Sequence, residues 1–323
     1  ATRTTFSAGS LEELVSKNII DAREYDSLKN SLDLVFKIRN ALHICTGKKN
    51  DILDHEMQNK VTEVLGYDSS EKRAGVENLM RDFYSAGYNI HNLSNILIHR
   101  CLEYRKKNKT IFNLFHLKEL GKGIVQYKDE ISLKEFNETV FVDNPYFLFD
   151  IFLFFQRFDL KLSENLKRII RKNLPVLKDV EWNSRALKEF FFTLLRAKHS
   201  AKIFRAMQEV DVLGLFLPEF EKCKYQIHND FFHMYTVDEH CFQAVEKLEN
   251  LYFSTEKELA EIASDYIFIT NPEILKFSLL LHDIGKAEGQ DHIQTGLLYI
   301  DKIAKRLDLK KTDCEILRFL MKN

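Results

Sequence analysis

The chain has 323 residues, 45% hydrophobic and 29% charged, with a formal net charge of −1. Its 11 Gly and 4 Pro make up about 5% of the sequence, against roughly 12% in an average chain, which excludes collagen-like and low-complexity classes and argues against a turn-rich β-sandwich. Near-neutral charge lacks the basic excess of a phosphate-contacting protein, so no DNA partner is expected.

The longest aromatic run, Pro145 to Phe155, is about 11 residues long and contains Asp150, where roughly 20 apolar residues are needed to span a bilayer. Residues Ala1 to Phe6 lack the apolar stretch of a secretory signal. Five scattered cysteines (Cys45, Cys101, Cys223, Cys241, Cys314) include no Cys-x-x-Cys pair, the usage of reduced cytosolic thiols. The composition therefore predicts a cytoplasmic, mainly α-helical protein with no membrane partner.

In chain order, Ser10-x-x-Glu13 and Asp21-x-x-Glu24 have the spacing of helix starts. The second opens a stripe at Leu28, Leu32, Val35, Ile38, Leu42 and Cys45, which Gly47 closes. Met57 to Leu65, Val76 to Tyr84 and Leu93 to Tyr104 read as three further helices. Gly66-Tyr67-Asp68-Ser69-Ser70 divides the first two, and Arg105-Lys106-Lys107-Asn108-Lys109 is a solvated linker after the third. Between 123 and 142 the period shortens, as in Gly123-Ile124-Val125-Gln126-Tyr127, which predicts a short β-hairpin. Helices resume over Pro145 to Phe158, Glu164 to Asn173, Ser184 to Arg196 and Ala201 to Val210, with phenylalanine stripes that read as core. Finally, Thr312-x-x-Glu315 has the form of a capping box, and the stripe that follows reaches Asn323 with no Gly stop, so further chain is expected beyond it.

The histidines carry the chemistry. Five of the 11 (His228, His233, His240, His282, His292) fall between 228 and 292, about a fifth of the chain. His240 begins one helical stretch. Asn271-Pro272 caps and opens another, whose apolar face (Ile274, Leu275, Phe277, Leu279, Leu280, Leu281) ends in the adjacent pair His282-Asp283, followed by Ile284-Gly285-Lys286. A His beside an Asp at the end of an apolar helix is costly unless something binds both. The two side chains can hold one cation from neighbouring directions. His240 would complete a nitrogen–oxygen site suited to Mn, Fe, Zn or, with more oxygens, Mg. Gly285 would release the helix, and Lys286 would reach an anion held by the metal. The plainer reading is a helix C-terminus at which His282 meets the dipole and Asp283 faces water.

These residues also carry a resemblance. His240, His282-Asp283 within Leu280-Leu281-His282-Asp283-Ile284-Gly285-Lys286, and Asp291-His292 before Gly296 resemble the HD superfamily of metal-dependent phosphohydrolases. Pro218-Glu219-Phe220, Gln226, Asp230, His233 and Tyr235-Thr236-Val237-Asp238-Glu239-His240 are similar to the bacterial PII uridylyltransferase/uridylyl-removing enzyme family. So are Met207 and Val212-Leu213-Gly214, together with Arg39-Asn40-Ala41-Leu42-His43, Asp51 to Leu53, Gln58, Leu65-Gly66-Tyr67 and Val76 to Tyr84. The resemblance covers nearly the whole chain.

It implies a helical bundle followed by an all-α HD-type domain: a helical domain over 1–108 that follows a nucleotidyltransferase domain outside this chain, a connecting helical region with the hairpin over 109–220, and the HD-type domain over 221–323, continuing past Asn323. In the family, one domain attaches UMP to a tyrosine of the PII signal protein and the HD domain hydrolyses that phosphodiester when glutamine is plentiful. The resemblance thus implies PII as partner, UMP and UTP through the parent enzyme, and a divalent metal, Mg or Mn first, with Fe or Zn as alternatives. It assigns His240, His282 and Asp283 as metal ligands, Asp283 and Lys286 as catalytic, and His292, Asp291, His233, Asp238 and His228 to the surroundings of the metal or to a second ion. No residue is assigned to nucleotide binding. The chain departs from the family pattern in three respects. Gly9-Ser10 is present but no Asp-x-Asp pair of the transferase site occurs, the C-terminal sensing domains are not in this sequence, and the last HD aspartate is expected beyond Asn323. A non-catalytic scaffold that docks PII and a general HD nucleotide phosphohydrolase are the alternatives. His43, His55, His91, His99, His116 and His199 read as ordinary structural or surface histidines.

Overall fold

In the computed structural model, which describes residues 2–67, 72–107, 117–135, 139–227, 235–251, 271–288 and 291–322, the chain divides into two units. One comprises residues 1–115 with 225–234, the other residues 116–224 with 235–323. Among the described residues the fold is mainly α with one small sheet, and no described helix is long and apolar enough to cross a membrane.

The first unit contains α1 (Thr2–Phe6), α2 (Leu11–Ser16), α3 (Ala22–Thr46), α4 (His55–Leu65) and α5 (Lys72–Lys107). Both predicted helix starts form. Ser10 Oγ accepts from the Glu13 amide, and at Asp21 the reciprocal box is complete: Asp21 Oδ1 accepts from the Glu24 amide at 2.8 Å while Glu24 Oε2 accepts from the Asp21 amide at 3.0 Å. α3 ends at Gly47 as its stripe predicts. The two helices expected over Val76 to Tyr84 and Leu93 to Tyr104 are instead one helix of 36 residues, which also takes in the first residues of the expected basic linker. No proline interrupts it, and Gly87, the one glycine between the two expected stretches, disfavours helix by only about 1 kcal/mol. Burial on one face outweighs that: Leu79 packs with Ile38 and Leu42, and Leu93 and Ile96 pack with Leu28. Late residues of α5 thus meet early residues of α3, so the pair is antiparallel. Arg100 closes the far end on Glu24 at 2.7 Å.

The second unit begins with β1 (Lys118–Gly121), β2 (Ile124–Tyr127) and β3 (Glu130–Leu133), and a later strand, β4 (Lys161–Leu162), completes a sheet of order β1-β2-β3-β4. β1, β2 and β3 are antiparallel, with Ile124 opposite Leu133, and β4 joins β3 in parallel, with Ile131 opposite Leu162. The β1–β2 turn is tight because Lys122 and Gly123 both take positive φ, 52° and 74°. The predicted hairpin is therefore a three-strand meander, and it stops short of 142: Val140–Asp143 is a helical turn, α6.

Then follow α7 (Phe147–Phe158), α8 (Glu164–Lys178), α9 (Ser184–Leu195), α10 (Ser200–Glu209), α11 (Leu213–Phe216), α12 (Pro218–Glu221), α13 (Val237–Leu251), α14 (Pro272–Leu281), a 3₁₀ turn (Ile284–Glu288), α15 (His292–Arg306) and α16 (Lys311–Lys322). α8 runs past the expected end at Asn173 and contains Pro175 near its C-terminus. α16 begins one residue before Thr312, so that residue lies inside the first turn rather than capping it. Pro272 opens α14 as predicted, but the Asn271 side chain makes no cap bond.

One apolar core runs from Ile124 to Leu317 through this unit. The phenylalanine stripes form its centre: Phe149 stacks on Phe190 with centroids 4.2 Å apart, and Trp182 and Phe216 pack around them. Phe191 touches Phe277 of α14, so the aromatic core sets where that helix and its C-terminal end lie.

Candidate metal centre

α13 buries Val237, Cys241, Phe242 and Val245, an (i, i+4) stripe that turns His240 of its first turn away from the core. α14 buries Ile274, Phe277, Leu280 and Leu281 and gives way at His282. Ile284, fully buried, anchors the turn that follows, so Asp283 is pinned between two core residues with a side chain only 10% exposed. The His240 and His282 side chains are 39% and 31% exposed, so the carboxylate lies at the bottom and the imidazoles form the rim.

The three groups converge on one oxygen. His240 Nε2 is 3.5 Å and His282 Nε2 3.4 Å from Asp283 Oδ2, and the two rings lie 5.0 Å apart. Among the described residues these three form the one cluster with metal-ligand spacing, one donor atom of each lying within 4.8 Å of the others. Donors sharing an ion at bond lengths of about 2.0–2.2 Å sit roughly 3.0–3.5 Å apart, so the residues present fit a divalent metal. The tautomer fits as well. His282 Nδ1 lies 2.7 Å from the Leu279 carbonyl oxygen, which can only accept, so Nδ1 carries the proton and Nε2 presents its lone pair.

Lys286 Nζ donates to the same Asp283 Oδ2 at 2.9 Å. Burial alone would raise the Asp283 carboxyl, but the neighbouring His282, the hydrogen bond and charge of Lys286, and the neighbouring His240 outweigh it and hold the group below its ordinary value. Behind the cluster, Cys241 Sγ is 3.9 Å from His282 Nδ1, and the Cys223 thiol meets the Ile284 carbonyl at 3.7 Å. Burial pushes both thiols up, so they stay protonated and serve as packing, not as thiolate ligands.

Gly285 differs from its sequence reading. The helix has already ended before it, and its φ is not positive. A Cβ at Gly285 would fall 2.6 Å from the Gly296 amide nitrogen and closer still to the His292 carbonyl oxygen, so the residue is glycine because α15 crosses directly over it.

Of the other predicted site residues, Asp238 is buried in the first turn of α13, where its Oδ2 accepts from Gln208 Nε2 at 3.5 Å. Asp291 caps α15 by accepting from the Gln294 amide at 3.1 Å, and His292 beside it is exposed. None of these joins the three-donor cluster. His228 and His233 lie outside the described residues. The bond from His282 to Leu279 was not anticipated, although its spacing of three residues along a helix is a usable signal. Arg39 and His43, four apart on α3, both meet Asp51, at 2.7 and 3.3 Å.

A cavity of about 330 Å³ opens elsewhere, between α10 and the C-terminal half of α13. Its charged walls already pair: Lys202 with Asp159 at 2.6 Å, Arg205 with Glu246 at 2.8 Å and Glu249 with Lys276 at 3.0 Å.

Comparison with known proteins places two family models on the chain, GlnD PII-uridylyltransferase over residues 1–98 and the uridylyltransferase GlnD third domain over residues 126–216. The three converging residues lie outside both stretches. Proteins named bifunctional uridylyltransferase/uridylyl-removing enzyme align over nearly the whole chain. That of Ruegeria pomeroyi is 28% identical over 96% of the chain and 34% of its own length, and that of Azotobacter vinelandii is 27% identical over 99% and 36%. The protein of that name from Azospirillum brasilense is 25% identical over 97% of the chain and 34% of its own length. The chain thus spans about a third of these relatives.

Proposed function

Because the chain belongs to the GlnD PII-uridylyltransferase family, we propose that it carries the uridylyl-removing centre of such an enzyme: a divalent-metal phosphodiesterase that frees UMP from uridylylated PII protein in the cytoplasm. The observation that carries this reading is the approach of His240 and His282, from separate elements, to one oxygen of the buried Asp283. The names of the aligned relatives include uridylyl removal, and their alignments extend over these residues.

His240, His282 and Asp283 would hold the ion. Two imidazoles and one carboxylate suit Mn²⁺ or Fe²⁺ better than Mg²⁺, which prefers oxygen ligands alone. Such an ion acidifies a bound water and polarises a phosphoryl oxygen. The chain's own residues do the rest. The Leu279 carbonyl fixes the His282 tautomer and ring orientation. Core packing of Leu281 and Ile284 holds Asp283 still. Lys286 holds a positive charge beside the ion site, on Asp283 Oδ2, within the reach of its side chain from a phosphoryl group on which charge develops under attack.

The test is UMP release from uridylylated PII in the presence of Mn²⁺, by this protein and by a His282→Ala plus Asp283→Ala variant, with Mn²⁺ binding measured on both by calorimetry. Release and binding should both vanish in the variant. Equal release by the two proteins would sink the assignment.

A further inference from the structure

Asp283 Oδ2 is contested. The nearest cation to it is not a histidine but the Lys286 ammonium, at 2.9 Å, closer than either imidazole nitrogen. This is not a solvated surface pair, since the two side chains are only 17% and 10% exposed. The contact is also local, three residues along the 3₁₀ turn, so it forms with the turn itself. Lys286 reaches from that turn on a flexible four-carbon stem, and its head group can leave without moving backbone.

We propose that Lys286 is a displaceable counter-cation of the metal centre: it neutralises Asp283 when no ion is present, and it is released towards an anionic ligand when a divalent cation binds. This rests on the metal reading above and adds a competition built into the site. With Lys286 in place, the buried carboxylate has a full charge partner and a hydrogen bond. A divalent ion brought to the same oxygen meets an ammonium already there, and two cations cannot share one carboxylate oxygen without strong repulsion. Lys286 therefore turns outward, past the imidazole rim, to where a phosphodiester would approach. The lysine lowers the affinity of the centre for metal alone and favours metal together with an anion, because only then do both cations have partners.

The experiment compares Lys286→Gln and Lys286→Arg with the unaltered protein by Mn²⁺ calorimetry and by melting temperature with and without Mn²⁺. Lys286→Gln should bind Mn²⁺ about tenfold more tightly, the scale of one charged hydrogen bond. Without metal it should melt lower than the unaltered protein, and Mn²⁺ should raise its melting temperature more. Lys286→Arg, which keeps the charge, should stay close to the unaltered affinity. Equal or weaker Mn²⁺ binding by Lys286→Gln overturns the counter-cation while leaving the centre standing. If the unaltered protein binds Mn²⁺ no better than the His282→Ala plus Asp283→Ala variant, the centre and the counter-cation fall together.

Discussion

His282 Nδ1 and the Leu279 carbonyl oxygen are 2.7 Å apart, and this one bond decides which face of the imidazole is available. A ring whose Nδ1 proton is committed to the backbone offers only Nε2, the atom that faces Asp283. On the proposed ligand set His282→Ala removes one donor from a pre-oriented site, so Mn²⁺ affinity should fall by more than about 100-fold, since losing even an outer partner of a ligand costs roughly 10–100-fold. His282 lies at the end of α14 with nearly a third of its side chain exposed, so the variant should keep its circular dichroism spectrum. Calorimetry on a folded variant with unchanged affinity would remove His282 from the ligand set.

Two glycines should respond to the same substitution with opposite sign. At Gly285 an added Cβ collides with backbone of α15, which cannot step aside as a side chain can, and Gly285→Ala should destabilise its unit by about 3 kcal/mol or more. At Gly87, inside α5, an added Cβ meets nothing within 4 Å. Gly87→Ala should stabilise the helix by about 1 kcal/mol, the difference in helix propensity. Hydrogen–deuterium exchange resolves both, as slower exchange along α5 in one variant and faster exchange around 284–296 in the other.

Much of this was legible in the sequence for a reason of scale. The starts at Ser10 and Asp21 depend on a side chain and an amide three residues away, and the residues spell that out. The single long α5 was not legible, because what carries the helix through Gly87 is burial against Leu28, Ile38 and Leu42, residues some 40–65 positions earlier. Gly285 shows the same limit at the site. Glycine after a helix reads as a stop, yet its cause is the approach of the His292 carbonyl, a tertiary contact. The candidate donors were nameable because His282 and Asp283 are adjacent at the end of an apolar helix. That Lys286 would lie on Asp283 rather than at the rim depends on the 3₁₀ turn, which the sequence does not announce.

Asp51 offers a pH-dependent signature in the first unit. Its hydrogen bond from Arg39, then that from His43, hold its carboxyl down at about 2, against an ordinary value of 3.8. A carboxyl depressed in the folded state contributes stability that is present above the ordinary value and lost as pH falls from about 3.8 towards 2. Carbon-detected NMR should show Asp51 titrating near pH 2, and Arg39→Ala should move that midpoint up towards 3.8. An unmoved midpoint would mean that Arg39 does not act on Asp51 in solution.

Glu249 and Lys276 tie the two helices that carry the donors. Glu249, on α13 nine residues after His240, accepts from the Ser200 amide at 2.7 Å, from the Ser200 hydroxyl and from Lys276 Nζ at 3.0 Å. Lys276, on α14 six residues before His282, also donates to the Ala197 carbonyl at 2.7 Å. Their side chains are 4% and 9% exposed, so removing either partner strands a charge in the core. Glu249→Gln and Lys276→Met should each destabilise the unit by about 3–5 kcal/mol. The double variant should lose clearly less than the sum, because neither charge is then left alone. A denaturation cycle that comes out additive would show that the two residues do not act on one another. With coupling, the register of α13 against α14 depends on this pair, and so does the meeting of His240 with Asp283. Lys276→Met should then weaken Mn²⁺ binding even at temperatures where the variant is fully folded.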